Sequence, residues 1–428
     1  MLERYFKLSE LKTNKKIEIT AGFTTFMSMA YIIFVNPTIL QKAGVPFEGV
    51  LFATCISSAI ATILMSLLTN YPFALAPGMG LNAYFTYTVC IGLGINWQVA
   101  LGAVFFSGII FFILSILKVW KYVVDSIPDS IKFSTGAGIG IFLAFIGLQN
   151  GGIVANSDLS LVTLGEMLKP EVGLTFFGLF LTGILLARRV RGGILIGILG
   201  TTLLAIILGM AKMPDAIFKI PDVKSTFLKL DISSAFNLGL LYIIFIFLFV
   251  DVFDSLGTLL GISDFGGFSK EGKLPKINRS LLTVSVGTIV GSLTGTSTIT
   301  AYIESSSGIA EGGRTGLVGL VVGLLFIGCI FLSPIASIVP PYATAPALIV
   351  VGSFMISVIK NIKWDDITEA IPAFLTIIIM PLTFSIANGI AIGFITYPII
   401  KGLGGKIKEV SILSWMLAIL FIIRYIYV

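Results

Sequence analysis

Histidine is absent from the 428 residues, cysteine occurs three times, and charged side chains make up only 12% of the chain. Without imidazole, proton transfer falls to carboxylates, tyrosines or water, and metal sites that depend on histidine are excluded. Cys55, Cys90 and Cys329 sit in apolar stretches, where cysteine packs as a small hydrophobe. A soluble domain carries about 25% charged residues, so this chain lacks the polar groups to cover a water-facing surface. What it has instead is apolar: 56% hydrophobic residues and a mean hydropathy of +1.02. These come in recurrent runs of about 20 residues, each long enough to cross the hydrocarbon core. The pattern specifies an all-α polytopic membrane protein.

Spans are expected at 19–36, 47–69, 73–91, 98–117, 131–149, 172–187, 193–211, 237–262, 280–293, 295–310, 314–333 and 343–360. The stretch 368–401, broken by Pro381 and by Ser385 to Gly389, reads as one bent span or two short ones, and a last span covers 409–427. The total is about fourteen. With the N-terminus inside, the inner segments carry three times as many Lys and Arg as the outer ones, which is the expected positive-inside bias. The net charge of +6 is therefore a topology signal, and no nucleic-acid partner is expected. Residues 1–18, with Arg4, Lys7, Lys12, Lys15 and Lys16, carry no signal-peptide cleavage pattern and read as a cytosolic tail.

The halves of the chain correspond. Span three contains 73-FALAPGMGLNAYFTY-87, rich in Pro and Gly where a plain span is apolar; 218 residues beyond its Ala83-Tyr84, span ten repeats the pair as Ala301-Tyr302 within 292-SLTGTSTITAYIESSSG-308. Seven spans per half would bring the second half in from the opposite side, giving an inverted repeat. Broken spans at matching places then point to a substrate site near the midplane. In span three the chain is expected to run extended through Ala76-Pro77-Gly78-Met79-Gly80 and turn helical near Leu81, leaving unpaired N–H groups for a polar ligand. The match of Gly78-x-Gly80-x-x-Ala83 to a dinucleotide fingerprint is rejected, because no βαβ unit surrounds it. In span ten, Gly295-Thr296-Ser297-Thr298 is expected to play the same part, with Glu304 one to two turns into the resumed helix.

Span eight, 241-LYIIFIFLFVDVFDSLGTLLG-261, holds Asp251 and Asp254 at i, i+3 on one helix face. An acid at the bilayer centre costs roughly 2.5–3.5 kcal/mol, and no Lys or Arg lies within a helical turn of Asp251, Asp254 or Glu304. Either they are buried structural acids bonded to neighbouring hydroxyls, or they face water, substrate and a proton. These three are the proton-coupling candidates. Gln149, Asn150 and Asn388 read as helix-end residues, Ser134 to Gly140 as a small-residue packing face, Glu311 and Arg314 as a boundary turn, and Arg188, Arg189 and Arg191 as topology markers. Phe26, Phe85, Phe253 and Tyr302 are candidates to stack on a planar ligand.

Four segments, 21-AGFTTFMSMAYIIFVNP-37, 76-APGMGLNAYF-85, 249-FVDVFDSLGT-258 and 301-AYIESSSGIAEGGRTG-316, resemble the nucleobase/ascorbate transporter family. Within it they are most similar to the azaguanine-type branch of adenine, guanine and hypoxanthine permeases. The resemblance implies two inverted repeats of seven segments with short strands in spans three and ten. It implies a core domain (19–117 and 237–333) and a gate domain (131–211 and 343–428). It also implies import of purine bases with protons through alternating access, in a homodimer in the cell membrane, with no cofactor and no metal. Sodium remains open as the coupled ion. By the same resemblance Asp254, in Asp254-Ser255-Leu256-Gly257, is the main substrate or proton acid, Asp251 its neighbour, Glu304 the acid of span ten, and Asn82 beside Gly80 the polar contact of span three. Thr298 and Phe253 complete the expected substrate contacts. Helix-start amides at both spans would donate to the base. The rival readings are a uracil or xanthine permease of the same fold, then an anion carrier; an enzyme or a channel is disfavoured.

Overall fold

The computed structural model describes residues 2–118, 127–157, 161–214, 216–236, 240–269 and 274–427. Lys121, Lys270 and Lys273, three of the inner cations, lie outside the described residues, as do the first residues expected in span eight, 237–239. Along the chain run helices α1 (Leu2–Phe6), α2 (Lys15–Met29), α3 (Ile32–Leu40), α4 (Phe47–Thr69), α5 (Met79–Ala83), α6 (Trp97–Leu117), α7 (Asp129–Asn150), α8 (Pro170–Ala187) and α9 (Gly193–Ile207). There follow α10 (Ile232–Ala235), α11 (Leu241–Gly266), α12 (Ile277–Thr294), α13 (Ser305–Ala310), α14 (Leu317–Cys329), α15 (Ser333–Ser337), α16 (Pro341–Met355), α17 (Ile367–Leu382), α18 (Ile386–Lys401) and α19 (Ile412–Tyr427). The strands are β1 (Leu75–Pro77), β2 (Val154–Ser157), β3 (Leu161–Leu164) and β4 (Ile299–Ala301). Among the described residues eight helical stretches are long and apolar enough to cross a bilayer, and four shorter apolar helices accompany them.

In chain order the apolar elements of the first half are α2 with α3, α4, the broken segment 75–92, α6, α7, α8 and α9; those of the second half are α11, α12, the broken segment 299–310, α14, α16, α17, α18 and α19. The ambiguous stretch 368–401 is two helices. Ser385 caps the second by accepting the Asn388 N–H at 3.2 Å, a local bond that competes with helix continuation. Helix α19 occupies the expected last span.

The chain divides into two compact units, Met1–Lys118 with Asn150–Ala347, and Val119–Gln149 with Leu348–Val428. In the first, the N-terminal segment is folded against the protein: Phe6 and Leu8 are buried with Leu317, and the Asn70 amide donates to the Phe6 carbonyl at 3.0 Å. Helix α2 starts at Lys15, four residues before the expected span, because the Asn14 side chain caps it by accepting the Ile17 N–H. Glu18 is wholly buried; its carboxylate accepts the Arg314 and Thr315 N–H groups and the Thr13 and Thr315 hydroxyls just before α14. Arg191, expected only to mark topology, also pairs with Glu311 at the end of α13. A hairpin of β2 and β3, which hydropathy gave no reason to expect, precedes α8.

In the second unit the expected packing face is present. A Cβ on Gly140 would come within 2.8 Å of both the Gly352 carbonyl and the Met355 side chain of α16, so only glycine allows that approach. Glu369 and Lys401 form a buried ion pair that also engages Glu409 at 3.0 Å, joining the start of α17 to the end of α18.

Candidate functional site

The two broken segments meet as a ribbon. Strands β1 and β4 pair antiparallel with Leu75 opposite Ala301, Ala76 opposite Thr300 and Pro77 opposite Ile299. Two further backbone bonds extend it, Gly78 N–H to the Thr298 carbonyl and Tyr302 N–H to the Ala74 carbonyl, both 3.0 Å. The Tyr302 hydroxyl donates to the Pro77 carbonyl at 2.6 Å. Within a bilayer each of these groups needs a protein partner, and three residues per strand suffice because flanking helices supply the rest. Thr62 of α4 accepts the Leu75 N–H at 2.9 Å, and Thr288 of α12 accepts the Ile299 N–H at 3.0 Å. The ribbon is tight: a Cβ on Gly78 would lie 2.7 Å from the Thr300 methyl.

Beyond the ribbon the two segments differ. In span three, Gly78 is the extended N-cap (φ −71°, ψ 117°), the Asn82 N–H closes the first turn on its carbonyl at 2.9 Å, and the chain is helical from Met79 to Gly92. The helix therefore begins two residues before the expected Leu81. Among the described residues no acceptor engages the N–H groups of Met79, Gly80 or Leu81. Asn82 is fully buried; its Oδ1 accepts the Ser297 hydroxyl, and among the described residues its Nδ2 has no partner. The stretch from Tyr84 to Gly92 is π-helical, a form often found beside functional sites.

Span ten corrects two expectations. Its strand is Ile299–Ala301, after the Gly295 to Thr298 stretch; Gly295 itself ends α12 with φ +115°. Glu304 is the N-cap of α13 and does not sit one to two turns inside it. The first amides of α13 are closed as well: Ser305, Ser306 and Ser307 donate to the carbonyls of Tyr302, Ile303 and Glu304 at 3.0–3.1 Å. Span ten thus offers a carboxylate where span three offers open amides. Thr298 is buried, and its hydroxyl has no partner among the described residues.

The three acids share one neighbourhood. The Glu304 carboxylate accepts the Tyr31 hydroxyl at 2.7 Å. Asp254 faces the Thr300 hydroxyl and lies within electrostatic reach of both Asp251 and Glu304. Asp251 is 1% exposed and accepts the Thr288 hydroxyl at 2.9 Å, while Asp254 and Glu304 are only part-buried. Among the described residues no Lys or Arg forms an ion pair with any of them. Of the aromatic candidates, Phe26 packs edge-on to Phe326, Phe85 against Phe247, and part-buried Phe253 lies 4.6 Å from Phe249 between ring centroids. A cleft of about 600 Å³ lined by Thr38, Gln41, Glu48 and Pro340 opens elsewhere in the same unit and includes none of the acids.

Sequence reasoning missed Tyr31, Asn36, Thr288 and Thr300. Asn36 is fully buried and donates to Thr54 at 2.7 Å and to Thr296 at 2.8 Å, fixing the turn before β4. As an uncharged amide within an apolar span it carried a usable signal; the hydroxyl residues carried none.

The sequence profile of the Permease family matches residues 16–392. The chain belongs to that family. This agrees with the four motifs of the nucleobase/ascorbate transporter family. Adenine permease AdeP of Escherichia coli is 43% identical, over all of this chain and 96% of its own length. Guanine/hypoxanthine permease PbuO of Bacillus subtilis is 44% identical, over 98% of this chain and 99% of its own. The transmembrane domain of the cyanobacterial bicarbonate transporter BicA aligns with a TM-score of 0.68 at 16% identity, covering 88% of this chain and 97% of that one, and so shares its fold. The chain is a multi-pass membrane transporter of that fold, and not an enzyme.

Proposed function

We propose that this permease imports purine nucleobases, with the base held along the β1–β4 ribbon between Glu304 and the open amides of Met79, Gly80 and Leu81. The observation that carries this reading is the opposite character of the two helix starts. A purine edge presents N–H donors beside carbonyl or ring-nitrogen acceptors; a carboxylate suits the former and backbone N–H groups the latter. The ribbon separates the two helix starts by roughly 10 Å at about 3.3 Å per residue. A bicyclic ring can bond at both ends of such a gap, whereas a single six-membered ring leaves one end unpaired. Asp254 and Thr300 stand between, and Phe253 would cover a ring face. Relatives named as adenine and guanine/hypoxanthine permeases support the same class.

Purine bases are neutral near pH 7, so accumulation needs a coupled ion. We assign this to a proton taken up by Asp254 or Glu304 from outside. The core domain, 19–117 and 237–333, then moves against the gate domain, 131–211 and 343–428, and base and proton leave on the cytosolic side. The protein would reside in the cell membrane as a homodimer with its N-terminus in the cytosol. The test is radiolabelled hypoxanthine uptake into proteoliposomes under an inward proton gradient, with adenine, guanine, xanthine and uracil as competitors. Saturable uptake that collapses with the gradient and yields to purines, not to uracil, is the expected result. No uptake by folded protein, or full competition by uracil, contradicts the proposal.

A further inference from the structure

The ribbon is gripped twice, once from each half, and the grips are not equal. In the first half the Thr62 hydroxyl accepts the Leu75 N–H at 2.9 Å and returns its own proton to the Leu75 carbonyl at 3.0 Å. Thr288 takes the Ile299 N–H in the same way, at 3.0 Å, but the carbonyl of Ile299 is 3.5 Å away. A hydroxyl has one proton to give. The carboxylate of Asp251, at 2.9 Å, is the closer acceptor and the stronger one. Asp251 thus orients the hydroxyl so that its lone pair faces the strand.

We infer that Asp251 and Thr288 are positioning residues that hold β4 against α11, and that Asp251 does not carry the transported proton. The next strand residue, Thr300, faces Asp254, one turn along the same helix. Helix α11 is therefore tied to β4 through Thr288 at Ile299, and Asp254 faces the next strand residue. This sets where Asp254 stands relative to the ribbon and to Glu304, which follows β4 by three residues. A proton carrier must meet water on both sides of its cycle, yet Asp251 is 1% exposed, while Asp254 and Glu304 are only part-buried. The titratable neighbour of Asp251 is Asp254, and among the described residues no Lys or Arg pairs with it. The inference deepens the purine-import reading and, for its transport readouts, rests on it.

The test uses the full-length protein with Thr288→Val, Thr288→Ser and Asp251→Asn. Amide hydrogen exchange of the peptide containing Ile299, in detergent, reads the grip without transport. Uptake then gives KM, maximal rate and pH profile. Thr288→Val should speed exchange at Ile299 and raise KM at least tenfold. Thr288→Ser and Asp251→Asn, which keep a donor and an acceptor in place, should retain slow exchange, gradient-driven accumulation and the pH profile. The inference is overturned if Thr288→Val exchanges and transports like the parent. It is equally overturned if Asp251→Asn still exchanges purine across the membrane but no longer accumulates it with the gradient. Should the parent show no purine uptake, the function proposal fails, while exchange at Ile299 still decides whether the grip exists.

Discussion

The broken segments of spans three and ten have nearly the same backbone and opposite chemistry. Each contributes a three-residue strand, each strand is gripped at its first residue by a threonine from the preceding helix, and each leads into a helix. In span three the new helix opens with unpaired N–H groups; in span ten 3₁₀-type turns close the amides and Glu304 occupies the cap. A repeated backbone has been given donors on one side and an acceptor on the other. A neutral heterocycle that offers both kinds of group along one edge matches that difference. A simple anion would use only the donor side and would face the acids.

Removing the acceptor should do the most damage. Glu304→Gln should lower purine uptake about a hundredfold, near 3 kcal/mol, the upper range for a hydrogen bond to a charged group. Tyr31→Phe, which removes only the hydroxyl that orients it, should cost about tenfold in the same uptake assay. Closing the gap between the strands comes next. Gly78→Ala should destabilise by about 1–3 kcal/mol through overpacking, because its Cβ would sit 2.7 Å from the Thr300 methyl. Thr300→Ser removes that methyl and keeps the hydroxyl, so thermal melts of the double variant should recover most of the loss. A smaller effect is expected for Tyr302→Phe, which deletes the 2.6 Å bond to the Pro77 carbonyl: about 1 kcal/mol, read as a modest fall in Tm.

Outside the two broken segments a carboxylate should matter least. Asp231, in the connection between the halves, caps α10, and hydrogen bonds from Ser234 and Ser233 hold its carboxyl down at about 2. A depressed carboxylate contributes stability that is present above its unfolded value of about 4 and is lost as the pH falls through the folded value. Asp231 therefore does not titrate above about pH 5. Asp231→Asn should leave the pH profile of uptake unchanged; a shifted profile would place the pH-sensitive group outside the two broken segments.

Much of this was legible in the chain itself. Scarce charge and long apolar runs gave a polytopic helical protein, and Pro and Gly in span three with Gly, Ser and Thr in span ten located the ribbon. Asp251, Asp254 and Glu304 announced themselves by the cost of an acid in hydrocarbon. Hidden were the pairings that join residues far apart in the chain, such as Tyr31 to Glu304 and Asn36 to Thr296. Hydroxyl residues such as Thr62 and Thr288 look like ordinary helix-packing residues until a partner strand is placed beside them. A strand of three residues is too short to show alternation, so neither the register nor the position of Glu304 at a helix cap followed from spacing. The break near Ser385 was visible as a polar interruption, but the choice between one span and two turned on a single cap bond.

If the open amides at the start of span three's helix bind the base, deleting one of them should weaken binding, and one substitution addresses a single amide. Proline is tolerated in the first turn of a helix and favours an extended residue before it, which Gly78 already is. Met79→Pro therefore deletes one free N–H with little change in backbone, and Met79→Ala controls for the lost side chain. Saturation binding of radiolabelled hypoxanthine to the purified proteins should show roughly tenfold weaker affinity for Met79→Pro than for Met79→Ala, about 1.4 kcal/mol. Equal affinities of the two variants would contradict the account and place the base elsewhere in the protein.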